Sequence, residues 1–162
     1  MQIVLLIFAL LTSPLAWADT LRGYVVGITD GDTLTVVDSD KHQFKIRLKG
    51  IDAPERNQAF GEKSKTNLSR LAFNKDVEVE WNTKDRYGRI VGKVMVAGQD
   101  VCLQQVKEGM AWWYAKYQSE QTQKDRAAYE LAESQAKMYR YGLWNDKNPV
   151  PPWGGGMGRG SN

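Results

Sequence analysis

The stretch GITDGDTLTVVDSDKHQFKIRLKGIDAPE, residues 27–55, decides how the fold begins. Two β-branched or alternating runs, residues 33–38 and 43–51, flank a polar turn, which predicts an antiparallel hairpin. In such a hairpin the start of the first strand lies beside the end of the second, so Asp32 is expected near Asp52. The sequence therefore predicts two carboxylates side by side at one end of a hairpin.

The rest of the chain continues the strand signal and then becomes helical. Further strands are predicted at residues 21–28, 76–81 and 89–96, and helices at residues 61–73, 101–109 and 119–141. Five short strands, with one helix inserted late and two appended, predict an α+β fold. We expect a small antiparallel five-stranded barrel with three α-helices packed on it.

The two ends of the chain lie outside this pattern. Residues 1–18 contain an unbroken apolar stretch and end in Ala-Trp-Ala, as a cleaved secretory signal does. We therefore expect cleavage after Ala18, a periplasmic or secreted protein, and no stable membrane association afterwards; an uncleaved N-terminal anchor is the alternative. Residues 148–162 are rich in proline and glycine, which predicts a flexible tail. The folded domain then spans residues 19–147, and we expect it to be a monomer.

The composition limits the chemistry. Cys102 is the only cysteine and His42 the only histidine, so neither an intramolecular disulfide nor a Cys/His zinc site can form within the chain. Any metal must be bound by oxygen, which favours calcium or magnesium. The net charge of +3 is a mild basic bias that suits a polyanionic partner without identifying it.

The carboxylates and two arginines form a set that suits phosphate chemistry. Asp32 and Asp52, with backbone carbonyls and water, make a usable calcium site, although each segment alone would also suit an ordinary turn. The planar guanidinium groups of Arg47 and Arg89 match phosphate oxygens. Glu55 is placed to contact a water beside the metal and could take a proton from it. These are the parts that phosphodiester hydrolysis needs.

Three motifs, in this order and spacing, resemble the staphylococcal nuclease family: ITDGDTLTV (28–36), FKIRLKGIDAPE (44–55) and KDRYGRIVGKV (84–94). The resemblance runs from Leu21 to Trp144. It implies an OB-fold barrel with three helices and calcium-dependent cleavage of DNA and RNA. The resemblance also implies one calcium ion per chain, little sequence specificity and 3′-phosphate product ends.

By matching position, the resemblance implies roles around the metal. The carboxylates of Asp32 and Asp52 and the backbone carbonyl of Ala53 match the calcium ligands. Asp30 matches an acidic residue that lies near the metal without binding it directly.

The resemblance likewise implies the groups that act on the nucleic acid. Arg47 and Arg89 match the two phosphate-binding arginines, and Glu55 matches a glutamate that acts as general base or positions the water. Substrate-binding roles are implied for Arg86, Tyr87, Tyr114 and Tyr117. Of these, Tyr114 is one residue away from the family's tyrosine position, which aligns with Ala115.

A second class of function stays open at this point. An OB-fold module that binds single-stranded nucleic acid or oligosaccharide without chemistry would have the same fold. Such a module has no use for Asp32, Asp52 and Glu55, whose charges repel phosphate when no cation is present. All three are in the sequence, which favours the enzyme.

Overall fold

The computed structural model describes residues 19–153 and confirms the predicted α+β barrel with three α-helices. The predicted signal, residues 1–18, and residues 154–162 of the predicted tail lie outside the described residues. Two short 3₁₀ helices occupy Ala115–Glu120 and Gly142–Asn145. The strands and α-helices, in chain order, are β1 (Asp19–Ile28), β2 (Thr33–Val37), β3 (Gln43–Leu48), β4 (Ile51–Asp52), α1 (Gly61–Ala72), β5 (Asp76–Lys84), β6 (Ile90–Val96), β7 (Gln99–Asp100), α2 (Val101–Lys107), β8 (Trp112–Trp113) and α3 (Gln123–Met138).

The five long strands close into a barrel in the order β3-β2-β1-β5-β6, with β6 returning to β3. β2 and β3 form the predicted antiparallel hairpin, with Thr33 opposite Arg47. The closing pair is parallel, with Ile46 opposite Ile90, so the barrel is mixed and not wholly antiparallel as predicted. A parallel pair needs a long crossover connection, and the segment containing α1 and β5 supplies it.

The barrel interior explains why the strands alternate in sequence. Leu34, Val36 and Ile46 are fully buried, while the residue that follows each of them along its strand is more accessible. Cys102, on α2, is also fully buried, and burial raises the pKa of its thiol well above the usual range. This residue is therefore a packing group with an unreactive thiol, in agreement with its apolar setting in sequence.

The last helix is shorter than the sequence predicted. The segment predicted as one helix over 119–141 divides into a 3₁₀ turn and α3, because the Thr122 hydroxyl accepts the Asp125 N–H and caps a new helix start. α3 then buries Tyr129, Ala132 and Ala136 and packs chiefly on α2. Among residues 19–153, no helix is both long enough and apolar enough to cross a bilayer.

Candidate active site

The turn between β1 and β2, which we call the DGD loop (Asp30, Gly31 and Asp32), fixes one carboxylate in place. The backbone N–H of Asp32 donates to Asp30 Oδ1 at 3.1 Å, and the hydroxyl of Thr33 donates to Asp32 Oδ1 at 3.1 Å. On the other side, the N–H of Ala53 donates to Asp32 Oδ2 at 2.8 Å. The hairpin therefore joins the two acidic turns as the sequence predicted.

Arg47 lies between the two predicted metal ligands. Its Nη1 is 3.2 Å from Asp32 Oδ2, and its Nη2 donates to Asp52 Oδ1 at 2.6 Å. Nη1 also donates to the backbone carbonyls of Leu48 and Ile51, at 3.1 and 2.9 Å. The two carboxylates thus converge closely enough to share one cationic group, whose side chain is only 17% exposed.

Burial and neighbouring negative charges disfavour the ionised forms of these carboxylates. Burial raises the pKa of Asp32 to about 7; Arg47 and the Ala53 N–H work against the rise, and the charges of Asp30 and Asp52 add to it. Burial also raises the pKa of Asp52, opposed by Arg47 and reinforced by Glu55. Several carboxylates therefore remain close together with only one guanidinium between the innermost two.

The chemistry of the donor set fits a hard divalent cation. The carboxylates of Asp32 and Asp52 both contact the guanidinium of Arg47, and the donor atoms that they offer are oxygens. Ala53 is only 5% exposed, and its carbonyl oxygen accepts no hydrogen bond from any residue in the described range, which leaves it available as a third ligand. Three protein oxygens of this kind suit a hard cation such as calcium, whose remaining ligands would be water.

A different group of three close acidic or imidazole side chains lies in the turn between β2 and β3. It consists of Asp38, Asp40 and His42. Asp38 Oδ1 accepts the backbone N–H groups of Asp40 and His42, each at 2.9 Å, and its Oδ2 lies 3.3 Å from His42 Nδ1. These hydrogen bonds explain the cluster as a turn that connects the hairpin strands.

Arg89, immediately before β6, is brought to the same end of the barrel by the β3–β6 pairing. Its Nε donates to Asp85 Oδ2 at 2.6 Å, and its Nη1 lies 3.5 Å from the Thr33 hydroxyl. Burial favours a higher pKa for Asp85, but hydrogen bonds from Arg89 and from the Tyr87 N–H outweigh it and lower the pKa. Asp85 and Thr33 were not predicted from the sequence, although the four-residue spacing from Asp85 to Arg89 is a usable signal.

An open groove of about 510 Å³ runs past these arginines. Tyr87 is 68% exposed, and the guanidinium of Arg86 lies 4.8 Å from the centre of its ring. Glu55 is exposed, and its charge contributes to the raised pKa of Asp52, so it lies close to that residue. The groove brings together all the predicted phosphate- and substrate-binding residues: Arg47, Arg86, Tyr87, Arg89, Tyr114 and Tyr117.

One aromatic residue that was not predicted from the sequence, Trp153, packs against the aromatic wall of the groove. The ring of Trp153 stacks on Tyr114, with centroids 5.0 Å apart and planes at 26°, so one face of Tyr114 is covered. Tyr117 meets Tyr114 edge-on at 5.1 Å and is 46% exposed. Trp112, in contrast, is buried and packs edge-on against Trp144 and Trp153. Among the predicted substrate-binding tyrosines, Tyr117 and Tyr87 are therefore the more accessible ones.

Comparison with known proteins agrees with this geometry. Residues 45–146 match the family model described as staphylococcal nuclease homologue. The chain is 42% identical over 149 residues to an uncharacterized endonuclease of Haemophilus influenzae, covering 92% of this chain and 79% of that protein.

Two further relatives extend the match. The chain is 41% identical over 153 residues to a micrococcal nuclease of Shigella flexneri, covering 89% of this chain and 84% of that protein. It is 37% identical over 111 residues to the staphylococcal-like nuclease CAN1 of Arabidopsis thaliana, covering 68% of this chain and 32% of that protein. The chain therefore belongs to the staphylococcal nuclease family of nucleases.

Proposed function

We propose that this protein is a calcium-dependent phosphodiesterase that hydrolyses DNA and RNA with little sequence specificity and leaves 3′-phosphate ends. The observation that carries the proposal is the convergence of Asp32 and Asp52 on the guanidinium of Arg47 beside an open groove. A module that only binds polyanions would gain nothing from carboxylates at this position, because they repel phosphate.

One calcium ion would be held by the carboxylates of Asp32 and Asp52 and the carbonyl of Ala53. When bound, it supplies positive charge next to the phosphate and polarises a phosphate oxygen. Asp30 keeps the DGD loop in shape by accepting the Asp32 N–H, at 3.1 Å, and stays outside the set of direct ligands.

Arg47 and Arg89 bind the phosphate that is cleaved. Of the five N–H groups of Arg47, three donate the hydrogen bonds described above, which leaves two without an acceptor among residues 19–153. Arg89 is held toward Thr33 by Asp85 and lines the same groove. Guanidinium groups fixed in this way stabilise the charge that builds up on the phosphate oxygens in the transition state.

Glu55 acts on the attacking water. Its side chain is exposed at the end of the IDAPE turn, near Asp52 and outside the ion pairs that Arg47 makes. It accepts a proton from the water or orients it while the oxygen attacks phosphorus. The bond from phosphorus to the 5′-oxygen then breaks, and that oxygen takes a proton from solvent water. One product fragment therefore ends in a 3′-phosphate and the other in a 5′-hydroxyl.

The groove supports the absence of strong sequence preference. Its cations contact phosphates, and its tyrosines offer ring faces, on which any base can stack. In its lining, Arg86 lies over the ring of Tyr87, and Tyr114 meets Tyr117 edge-on.

The decisive experiment is cleavage of labelled single-stranded DNA, duplex DNA and RNA by the purified protein, with calcium and with a chelator. We expect cleavage of all three only with calcium, and 3′-phosphate ends in mass spectra of the products. Asp52→Asn should abolish calcium-dependent cleavage, while Asp38→Asn, in the turn cluster, should leave it intact. Binding without cleavage in calcium would contradict the proposal and favour a non-catalytic OB-fold module.

We further propose that the protein is exported, processed after Ala18 and active as a monomer in the periplasm or the medium. The described fold starts with β1 at Asp19, so this cleavage would remove none of its strands or helices. N-terminal sequencing of the protein purified from its natural compartment tests the cleavage site, and a sequence that starts at Met1 would contradict it. Light scattering tests the monomer.

A further inference from the structure

Gln105, on α2, is a polar side chain with no exposed surface. Its neighbours along the buried face of the helix are Val101, Cys102 and Val106, so an apolar side chain would be expected here. A buried amide is unfavourable unless both of its ends are hydrogen-bonded. Here they are: Nε2 donates to the carbonyl oxygen of Gly31 at 2.7 Å, and Oε1 accepts from Asn67 Nδ2 at 2.7 Å.

The partner of this amide is the peptide group that carries the predicted metal ligand. The Gly31 carbonyl and the Asp32 N–H belong to the same planar peptide unit. Its carbonyl end is bound by Gln105, and its N–H end donates to Asp30 Oδ1 at 3.1 Å. With both ends held, this peptide cannot rotate without breaking a hydrogen bond, so the direction of the Asp32 side chain is set.

Helix α1 closes the other side of the DGD loop. A Cβ atom on Gly31 would overlap the hydroxyl of Ser64, so the loop backbone lies directly against the helix. The same Ser64 hydroxyl donates to the Met110 carbonyl at 2.6 Å, and the Nε2 of Gln105 is 3.2 Å from the Ser64 carbonyl. The loop is therefore fixed between α1 and α2 by a small polar network: Gln105, Asn67 and Ser64.

We propose that Gln105 is a positioning residue for the calcium site, acting through the Gly31–Asp32 peptide. This inference rests on the calcium-dependent function proposed above. Gln105 reaches neither the groove nor the carboxylates; it sets the backbone from which Asp32 projects. Residues that orient metal ligands in this way typically account for about 10- to 100-fold in metal affinity.

The test is calcium titration by calorimetry on the purified protein, a measurement that does not depend on catalysis. Gln105→Met keeps the length and apolar stem of the side chain but removes the amide. We expect its calcium dissociation constant to rise about 10- to 100-fold. The matched control is Tyr129→Phe, which removes a buried side chain's hydrogen bond to Asp100, at 2.9 Å, and touches none of the DGD loop.

Thermal melting of both variants separates positioning from general stability. If Gln105→Met and Tyr129→Phe lose similar stability and only the first loses calcium affinity, positioning is supported. An unchanged calcium affinity in folded Gln105→Met would overturn the inference. Should Gln105→Met fail to fold, Asn67→Ala decides instead: it removes the donor that holds the Gln105 amide, and we expect a smaller rise in the dissociation constant, with no rise overturning the inference.

The wild-type titration keeps the two proposals distinct. A wild-type protein that binds no calcium would refute the proposed function itself. A wild-type protein that binds calcium, together with a Gln105→Met variant of equal affinity, would refute only the role of Gln105.

Discussion

Replacing Arg47 with alanine should weaken the fold and the reaction while strengthening calcium binding. In the described structure the guanidinium contacts Asp32 and Asp52 and two backbone carbonyls, and its side chain is 17% exposed. Removal leaves two neighbouring carboxylates, whose side chains are 9% and 19% exposed, without their cation.

The expected loss of stability follows from this geometry. Breaking a buried ion pair by deleting one partner costs roughly 3–5 kcal/mol. We expect about 3 kcal/mol in calcium-free buffer, at the lower end of that range, because the alanine leaves room for water beside Asp52. Arg22→Ala is the matched control: the ion pair of Arg22 with Glu78 is 3.0 Å long, but the two side chains are 78% and 56% exposed. Its loss should cost less than about 1 kcal/mol.

Calcium should reduce the loss of stability caused by Arg47→Ala. A divalent ion between the two carboxylates replaces the missing positive charge, so the stability difference from wild type should shrink in saturating calcium. If it shrinks by about 1.4 kcal/mol, linkage requires the variant to bind calcium about tenfold more tightly than wild type. Turnover should nevertheless fall about 100- to 1000-fold, because a donor to the transition state is gone.

Three measurements test this reasoning together. Urea denaturation with chelator and with calcium gives the free energies of unfolding, calorimetry gives the calcium affinity, and cleavage of a labelled oligonucleotide gives the turnover. An Arg47→Ala variant as stable as wild type in chelator would refute the electrostatic account. Weaker calcium binding in the variant would show that Arg47 assists the metal site and does not compete with calcium for the two carboxylates.

Arg89→Ala should lower turnover about 100- to 1000-fold with calcium affinity unchanged, since this guanidinium lines the groove without touching the carboxylate ligands; wild-type turnover in steady-state kinetics would contradict its phosphate-binding role. Glu55→Gln should reduce turnover at saturating substrate while calcium affinity changes little, and unchanged turnover would exclude proton transfer by this residue. Tyr117→Ala should weaken binding of single-stranded DNA in calcium-free buffer by about fivefold or more, measured by fluorescence anisotropy, because a base loses a stacking surface; equal affinity would argue against stacking. Burial favours a lower pKa for Lys93, but the ion pairs of Lys93, chiefly the one with Asp125, outweigh burial and raise the pKa. The contribution of Lys93 to stability is therefore complete below about pH 10.4 and is lost as the pH rises through the folded-state pKa. Lys93→Met should remove that alkaline loss from urea denaturation between pH 8 and pH 12, and superimposable pH curves for the two proteins would contradict it.

The hairpin and its carboxylates could be predicted from sequence because their signals are local. Alternation over residues 33–37 and 43–48, with a polar turn between, determines which ends of the two strands meet, and Asp32 and Asp52 follow from that register. The parallel closure of the barrel could not be predicted in this way. Ile46 and Ile90 meet across a connection that contains α1 and β5, and only the packing of the whole barrel brings them together.

Two residues near the site were not predicted from the sequence because their roles depend on contacts with distant parts of the chain. Gln105 follows another glutamine on a short helix, and glutamine is usually exposed. Its amide can bind the DGD loop only because the fold brings the Gly31 carbonyl next to it. Trp153 lies in a segment whose proline and glycine content predicts flexibility, yet its ring stacks on Tyr114 across the fold. Asp85 was also missed, but it could have been predicted, because its spacing of four residues from Arg89 is a recognisable local pattern.

Asp32 and Asp52 place negative charges in the barrel wall, where uncharged side chains would be more stable. The guanidinium of Arg47 offsets part of this cost. Burial raises the pKa of Asp32, so the ionised carboxylate that a metal requires is disfavoured by the fold itself. Arg47 opposes that penalty in the metal-free protein and, with its two remaining N–H groups beside the groove, is also placed to bind the phosphate. Stability and activity are therefore coupled at Arg47, and substitutions there should alter both. They are separable at Glu55, which is exposed and makes no ion pair within the described residues, so its loss should affect the chemistry and leave the fold unchanged.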